Sequence, residues 1–515
     1  MQSSIRSRFI ASLTSNVLRS GTSFATGLLL ARWLGPQDYG RMVFLLASFV
    51  AFRQFLDLGS STAFFTLLSR RKRSRRFVAL YGAWVSLQLL ASLALVCFIL
   101  PDSLISRVWV GESRPILVLA LLASFMQGTV WSIASQMAEA SRETVRVQRL
   151  NALTTLINLG VMLALWGMGQ LAIPLIFATT ALEWALAGIL AARMYRTSDA
   201  PAEPGRAAAG PDTVHTVSRE FLAYCLPLIP YAWVSFAHDF LDRWMLQNWG
   251  GTAEQGYYGV AQQFAGIGLF ATSAILSIFW KEIAEAHHDG DMGRVEWLYS
   301  RISRMLFFCG AAIAGGLLPW TSGIIEMSVG ASYAGGSVTL MLMFLYPVHQ
   351  SMGQIGNTML YATGNVRAQV KLGVAFMMTS LAVAYVMMAP SDAWIPGLGM
   401  ASRGLAWKMV LLQFAQVNVA AWLIARLFGW QYDWRHQFGA LGTCLGLGWL
   451  VHLAATVAFA GVAPMPVQLV LGGACYVAAV LAAVFAWPWL IGFSRAEIAG
   501  FARRVSGATQ IRSGE

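Results

Sequence analysis

Fourteen apolar runs, each long enough to cross the hydrocarbon of a bilayer as a helix, follow one another along this chain of 515 residues. A core about 30 Å thick and a rise of about 1.5 Å per residue require about 20 residues per crossing. Runs of that kind lie at 9–31, 42–67, 77–100, 116–138, 150–168, 172–194, 221–247, 258–281, 302–321, 336–361, 369–390, 404–426, 438–461 and 467–492. Only Met168–Leu171 separates the fifth from the sixth. A peptide group left unbonded in lipid is costly, so each run is expected to close its own hydrogen bonds as a helix. Just 12% of the residues are charged, about half the share of a soluble chain. The expected fold class is therefore all-α integral membrane, with about fourteen transmembrane helices. No soluble domain is large enough for a conventional active site.

The charges orient the spans. Of the 36 Lys and Arg residues, twenty-seven fall in or beside loops on the side of the N-terminus when the loops are alternated. Six fall on the opposite side (Arg32, Arg41, Arg107, Arg114, Arg403 and Lys408), and Arg19, Arg53 and Arg243 lie inside spans. The densest cluster is Arg70, Arg71, Lys72, Arg73, Arg75 and Arg76. An excess of cations marks the cytoplasmic side, so both termini are expected there. The net charge of +12 is thereby a topological signal, and a nucleic-acid partner is not needed to explain it. Trp33, Trp109, Trp249, Trp394, Trp430, Trp434 and Trp487 sit near span ends, where amphipathic rings prefer the headgroups. The first run is too long for a secretory signal and lacks a small-residue cleavage site before Arg32, so it is expected to be retained. All five cysteines lie in apolar runs without CxxC spacing and are expected to act as small packing groups.

The longest expected linker, 197–218, is rich in Pro, Gly and Ala and is expected to be flexible and cytoplasmic. It divides a six-helix lobe at 1–196 from a second at 219–430. Two additional helices at 431–493 and a cytoplasmic tail at 494–515 follow. An internal echo crosses the linker. The first span ends in Ala31-Arg32-Trp33-Leu34-Gly35-Pro36-Gln37-Asp38-Tyr39-Gly40, and the seventh in Trp249-Gly250-Gly251-Thr252-Ala253-Glu254-Gln255-Gly256-Tyr257-Tyr258-Gly259. Each places an outer turn containing Tyr-Gly between a first and a second helix. Parallel repeats of this kind enclose a cavity between two bundles.

A charge deep in a span costs about 2.5–3.5 kcal/mol on insertion scales and usually faces a bundle interior or a wet cavity. Arg19 is near the middle of the first span. Arg53 and Asp57, at i and i+4, share one face of the second. They read as a cationic lining for an anionic group, with Asp57 balancing Arg53, or as a self-neutralising structural pair. The seventh span carries His238, Asp239, Asp242 and Arg243 toward its outer half, and Pro227 and Pro230 near its inner end. Those prolines should bend or break the helix. Asp239 and Arg243 are spaced to pair, and Asp239 and Asp242 are the expected ion-coupling carboxylates. Glu183, His349 and His452 read as partners in interhelical hydrogen bonds. The stretch His287-His288-Asp289-Gly290-Asp291 is one short loop with no second ligand group, so no metal site is expected. No Gly is followed by Lys, which excludes a P-loop, and no cofactor is expected. The Ala496–Val505 stretch places Ile498, Phe501 and Val505 on one face and is expected to lie on the inner leaflet.

Several of these stretches resemble the polysaccharide flippases of the multidrug/oligosaccharidyl-lipid/polysaccharide (MOP) exporter superfamily. The strongest match is Leu34-Gly35-Pro36-Gln37-Asp38-Tyr39-Gly40 after the first helix, similar to the family pattern Leu-Gly-Pro-x-x-Tyr-Gly. Leu56-Asp57-Leu58-Gly59, Leu241-Asp242-Arg243, Gly256-Tyr257-Tyr258-Gly259, Ala362-Thr363-Gly364-Asn365 and Gly397-Leu398-Gly399-Met400-Ala401 follow in the expected order. The resemblance spans about residues 8 to 425. It implies two six-helix lobes around a central cationic cavity, often with two extra C-terminal helices. It also implies a cargo, an oligosaccharide on undecaprenyl diphosphate moved from the inner to the outer leaflet of a bacterial cytoplasmic membrane. Planar guanidinium forks suit a diphosphate, so Arg19 and Arg53, with Asp57 and Arg243, are the expected substrate contacts. The first helix lacks the acidic cluster of the drug-exporting branch and has Arg19 instead.

The expected function is thus a transporter rather than an enzyme. It would move a lipid-linked oligosaccharide by alternating access, coupled to H+ or Na+, for O-antigen, capsule or exopolysaccharide synthesis. Expected partners are the lipid-linked substrate, membrane lipids and polysaccharide polymerase or export proteins. The alternatives are a peptidoglycan-precursor flippase, a membrane-embedded polymerase or glycosyltransferase, and a multidrug or small-ion exporter. The enzyme reading calls for a long outer loop with paired charged residues, and the sequence has none.

Overall fold

The computed structural model describes residues 5–70, 73–141, 143–195, 212–459, 463–493 and 497, with the side chains of 5–13, 268–278 and 280 excepted. Residues 197–211 of the expected linker lie outside the described residues. So do the side chains of Arg6 and Arg8 and all of the expected tail except Glu497. All regular structure among the described residues is helical, as backbone buried in lipid requires.

Among the described residues, eleven helices are long and apolar enough to cross a membrane, or twelve if one bent pair is counted as a span. The sequence reading expects fourteen. The difference arises in two places. The first two expected spans run through one 53-residue helix, α1 (Ile5–Asp57), broken only by a non-helical Gly35. The second of them continues into α2 (Ser60–Arg70) after a bend of 56°. The eighth falls in a helix that includes the undescribed side chains of 268–278.

The chain divides into two units, Met1–Gly256 and Tyr257–Glu515. In the first, α1 and α2 are followed by α3 (Arg75–Ala94), α4 (Asp102–Val108), α5 (Arg114–Phe125), α6 (Trp131–Ala140), α7 (Thr144–Gly167), α8 (Ile173–Ala192), α9 (Val214–Cys225) and α10 (Ile229–Met245). Helix α1 packs on α5, α7 and α10, and α8 on α5 and α6. One apolar core gathers Phe64, Phe77, Tyr81, Phe125, Met137 and Val217 from α2, α3, α5, α6 and α9. A second, around Trp131 and Trp184, joins α6 to α7 and α8. A π-helical turn, Met126–Val130, interrupts the span formed by α5 and α6. Pro227 lies in a 3-10 turn, Leu226–Leu228, between α9 and α10, and Pro230 in the first turn of α10. Proline there lacks the N–H that would continue the α ladder.

The two echoing turns share a backbone shape. Gly35 has φ 73 and ψ 172, and Gly251 has φ 85 and ψ 179, a region only glycine enters readily. Five residues on, Gly40 lies against the carbonyl of Thr252, and Gly256 against that of Pro36. The contact is reciprocal, each turn closing on the same position of the other.

The second unit contains most of α11 (Thr252–His288), then α12 (Met292–Leu317), α13 (Thr321–Ser328), α14 (Ser337–Met343), α15 (Tyr346–Ala362), α16 (Val366–Met388), α17 (Ala401–Phe428), α18 (Trp434–Ala458) and α19 (Met465–Ala486). Helix α12 is its axis, packed on α15 and α18. The α12–α18 crossing is tight because Gly448 abuts the carbonyl of Gly315. Tyr476 of α19 donates to the carbonyl of Ala312 at 2.8 Å. The two C-terminal helices are thus built onto the unit by main-chain contact.

Candidate functional site

The site assembles where α1 breaks. Asp57 ends the helix, and Leu58 (φ 49) and Gly59 (φ 83) turn the chain. The Asp57 carboxylate accepts from the Ser61 N–H at 2.9 Å, the Ser60 hydroxyl at 3.0 Å and the Ser61 hydroxyl at 2.8 Å. It therefore caps α2, supplying an acceptor to N–H groups that have no intrahelical partner. On the other side of the break, Gln88 donates to the carbonyl of Leu56 at 2.7 Å. Both ends of the interrupted helix are satisfied by side chains inside the bundle.

One turn before the break, Arg53 points into a cavity of about 280 Å³ lined by Asp57, Ser61, Gln88, Thr129 and Ser132, among others. Its guanidinium lies flat against Gly128 in the π-helical turn, where any Cβ would overlap Nη1. The Arg53 Nε and the Thr129 hydroxyl are buried there without a hydrogen-bond partner among the described residues. A buried cation with an unmet N–H is costly unless an acceptor arrives. A planar donor fork among hydroxyls and amides suits a phosphate-like anion.

At the level of sequence, no protein-family model matches this chain, and neither does any curated protein. Solved structures do. The lipid II flippase MurJ, in an inward closed conformation, superposes with a TM-score of 0.70 over 93% of this chain and 98% of its own, at 13% identity. A MOP superfamily transporter from Pyrococcus furiosus gives 0.53 over 81% and 93%, at 14% identity. An outward-facing multidrug resistance MATE transporter of the same superfamily gives 0.52 over 81% and 93%, at 15% identity.

The chain has the fold of these solved structures.

Within that fold the other expected residues separate into groups. Arg53 and Asp57 share the cavity. Arg19 is half-buried in the first half of α1, its Nε buried without a hydrogen-bond partner among the described residues, and it is not among the residues lining the Arg53 cavity. On α10, His238 bridges the two expected coupling carboxylates. Its Nδ1 lies 2.9 Å from Asp239 and its Nε2 3.8 Å from the buried Asp242. Asp239 is thus engaged by its neighbour in sequence. Arg243 donates to the Gln255 amide oxygen at 3.2 Å, and Gln255 returns a bond to the Arg243 carbonyl at 2.8 Å. That exchange ties the outer end of α10 to the Gly251 turn.

Elsewhere Glu183 accepts from Asn158 at 2.7 Å between α8 and α7. Asp291 caps α12 through the Arg294 N–H at 2.9 Å. Lys408, expected to flank an outer loop, is instead 1% exposed within α17. Sequence reasoning did not reach Gly128, Gln88 or Thr129. Their role depends on a π-helical turn facing the break in α1, and neither feature has a periodicity signature. A sequence signal for Gly128 does exist, as a glycine inside a strongly apolar run marks close approach.

Proposed function

We propose that this chain is a flippase that carries an undecaprenyl-diphosphate-linked oligosaccharide from the inner to the outer leaflet of a bacterial cytoplasmic membrane. The observation that carries this reading is Arg53, a guanidinium with a buried, unmet N–H in a polar cavity at the break between two apolar helices. Helices of a MOP fold give it the surroundings of a transporter, and the neighbours with that fold are transporters. Arg53 is the primary diphosphate contact, Arg19 and Arg243 are further cations for the anionic head, and Asp57 sets the position of Arg53. Asp239 and Asp242, joined through His238, bind the coupling H+ or Na+. Both termini are cytoplasmic. The cargo serves surface polysaccharide synthesis, and polymerase or export proteins receive it.

The likeness to a lipid II flippase favours a second reading, in which the cargo is a peptidoglycan precursor. The two separate in proteoliposomes given each lipid in turn, with leaflet accessibility measured under a pH or sodium gradient. The first reading expects protein-dependent movement of the lipid-linked oligosaccharide that Arg53→Ala abolishes while protein remains in the membrane. Movement of the peptidoglycan precursor alone selects the second. Chemical extension or cleavage of the sugars, without movement, overturns both.

A further inference from the structure

One arginine of the densest basic cluster is turned inward. Arg73 is 4% exposed, although Arg70, Arg75 and Arg76 around it are exposed. Its Nη1 reaches Asp212 at 3.0 Å, its Nη2 reaches Glu220 at 2.6 Å, and its Nε donates to the carbonyl of Leu67 at 3.2 Å. The guanidinium carbon lies 4.5 Å from the centre of the Phe77 ring. Asp212 completes the knot by accepting from the Ser74 N–H at 3.1 Å and its hydroxyl at 2.8 Å, while Ser74 caps α3 through the Phe77 N–H. Two stretches distant in sequence therefore meet at one side chain: one runs from the end of α2 to the start of α3, and the other from Asp212, two residues before α9, into α9 itself.

What Arg73 fastens is a helix set off from the next one by a break. Helix α9 is parted from α10 by the Leu226–Leu228 turn with Pro227, and Pro230 follows. Its inner face lies on a ladder of rings, with Phe221 at 6.0 Å from Phe77 and 5.5 Å from Tyr81. Leu228, within the turn, rests on Gly59, close enough that a Cβ at 59 would stand 2.9 Å from it. Gly59 is the break between α1 and α2, two residues from Asp57. Two adjacent helices are thus broken at one level and touch at their breaks, beside the Arg53 cavity.

We propose that Arg73 is a catch that holds α9 against α2 and α3. When it opens, α9 swings about Leu226–Leu228 and frees the α1–α2 break beside Arg53. This inference does not depend on what occupies the Arg53 cavity. Buried ion pairs are weak contributors when intact, but breaking one by removing a partner is strongly destabilising. That asymmetry suits a contact that must be either fully made or fully released.

The test uses the full-length protein in vesicles, with the five native cysteines replaced and no glycolipid present. Spin labels at Leu222→Cys on α9 and Leu87→Cys on α3 report their separation, and Ser132→Cys reports cavity access to a membrane-impermeant maleimide from the inner face. In the parent the separation is narrowly distributed and labelling is slow. Arg73→Gln is expected to lengthen and broaden the separation and to raise the labelling rate by on the order of tenfold. The charge exchange Arg73→Glu with Glu220→Arg should restore both. Should Arg73→Gln fail to accumulate, Asp212→Asn and Glu220→Gln each remove one arm and should move both readouts in the same direction. An unchanged separation in folded variants overturns the catch, and a changed separation with unchanged labelling overturns its link to the cavity. Neither result bears on which cargo moves.

Discussion

At the residue scale, Gly128 decides where Arg53 can be. The guanidinium is the flexible partner of that contact and the helix backbone is not, so a Cβ at 128 should displace Arg53 without unfolding the bundle. Gly128→Ala is expected to reduce transport by on the order of 10–100-fold, as a misplacement near 1 Å does. The loss of stability should stay under about 1 kcal/mol, since the side chain can give way. Proteoliposome flux and detergent-phase thermal unfolding check the two halves. Equal flux in Gly128→Ala and wild type would detach Arg53's position from its role. The arginine itself was legible in the sequence because a charge in mid-span has no ordinary reason to be there. Its glycine partner shows in the sequence only as a glycine inside an apolar run, and the pairing itself exists only once two spans lie side by side.

At the element scale, the helix breaks carry the site. Spacing puts Asp57 on the same helical face as Arg53, and its oxygens are bonded to Ser60 and Ser61. The two roles give different outcomes. Asp57→Ala removes the cap and should cost about 1 kcal/mol. Asp57→Asn keeps an acceptor and should retain most of that stability. Should Asp57→Asn nevertheless lose transport while its thermal unfolding is unchanged, the charge acts on Arg53 as well as on the helix. Spans were readable because a run of about 20 apolar residues has few alternatives in lipid. Their interruptions were only partly so. Pro227 and Pro230 announced one by removing donors, whereas Leu58–Gly59 and the π-helical turn at Met126–Val130 announced nothing that periodicity detects.

At the scale of the whole molecule, acid should loosen the first unit at the Arg73 cluster. Burial alone would raise the Asp212 carboxyl, but the two bonds from Ser74 and the pairing with Arg73 outweigh it and hold it below its ordinary value. A carboxylate depressed in the folded state contributes stability above its unfolded pKa of about 3.9 and loses it as pH falls through the lower folded value. Wild type should therefore be more stable than Asp212→Asn near neutrality, and the gap should narrow as pH falls below about 4. Thermal unfolding in detergent across that range checks the sign, and a gap that widens on acidification would contradict it. The helical class and the many membrane-length apolar helices were legible in composition, because a run of about 20 apolar residues has few alternatives in lipid. The unit boundary after Gly256 has no mark in composition, because it is set by packing.

The reciprocal turns at Gly35 and Gly251 bear on how such a chain can change over generations. Gly40 and Gly256 each press on the main chain of the opposite turn, not on a side chain. A larger residue at one position cannot be offset by a smaller one at the other, since neither contact has anything left to shrink. Drift can rewrite the lipid-facing surfaces of the helices one neutral exchange at a time. At these two positions it has nothing to trade.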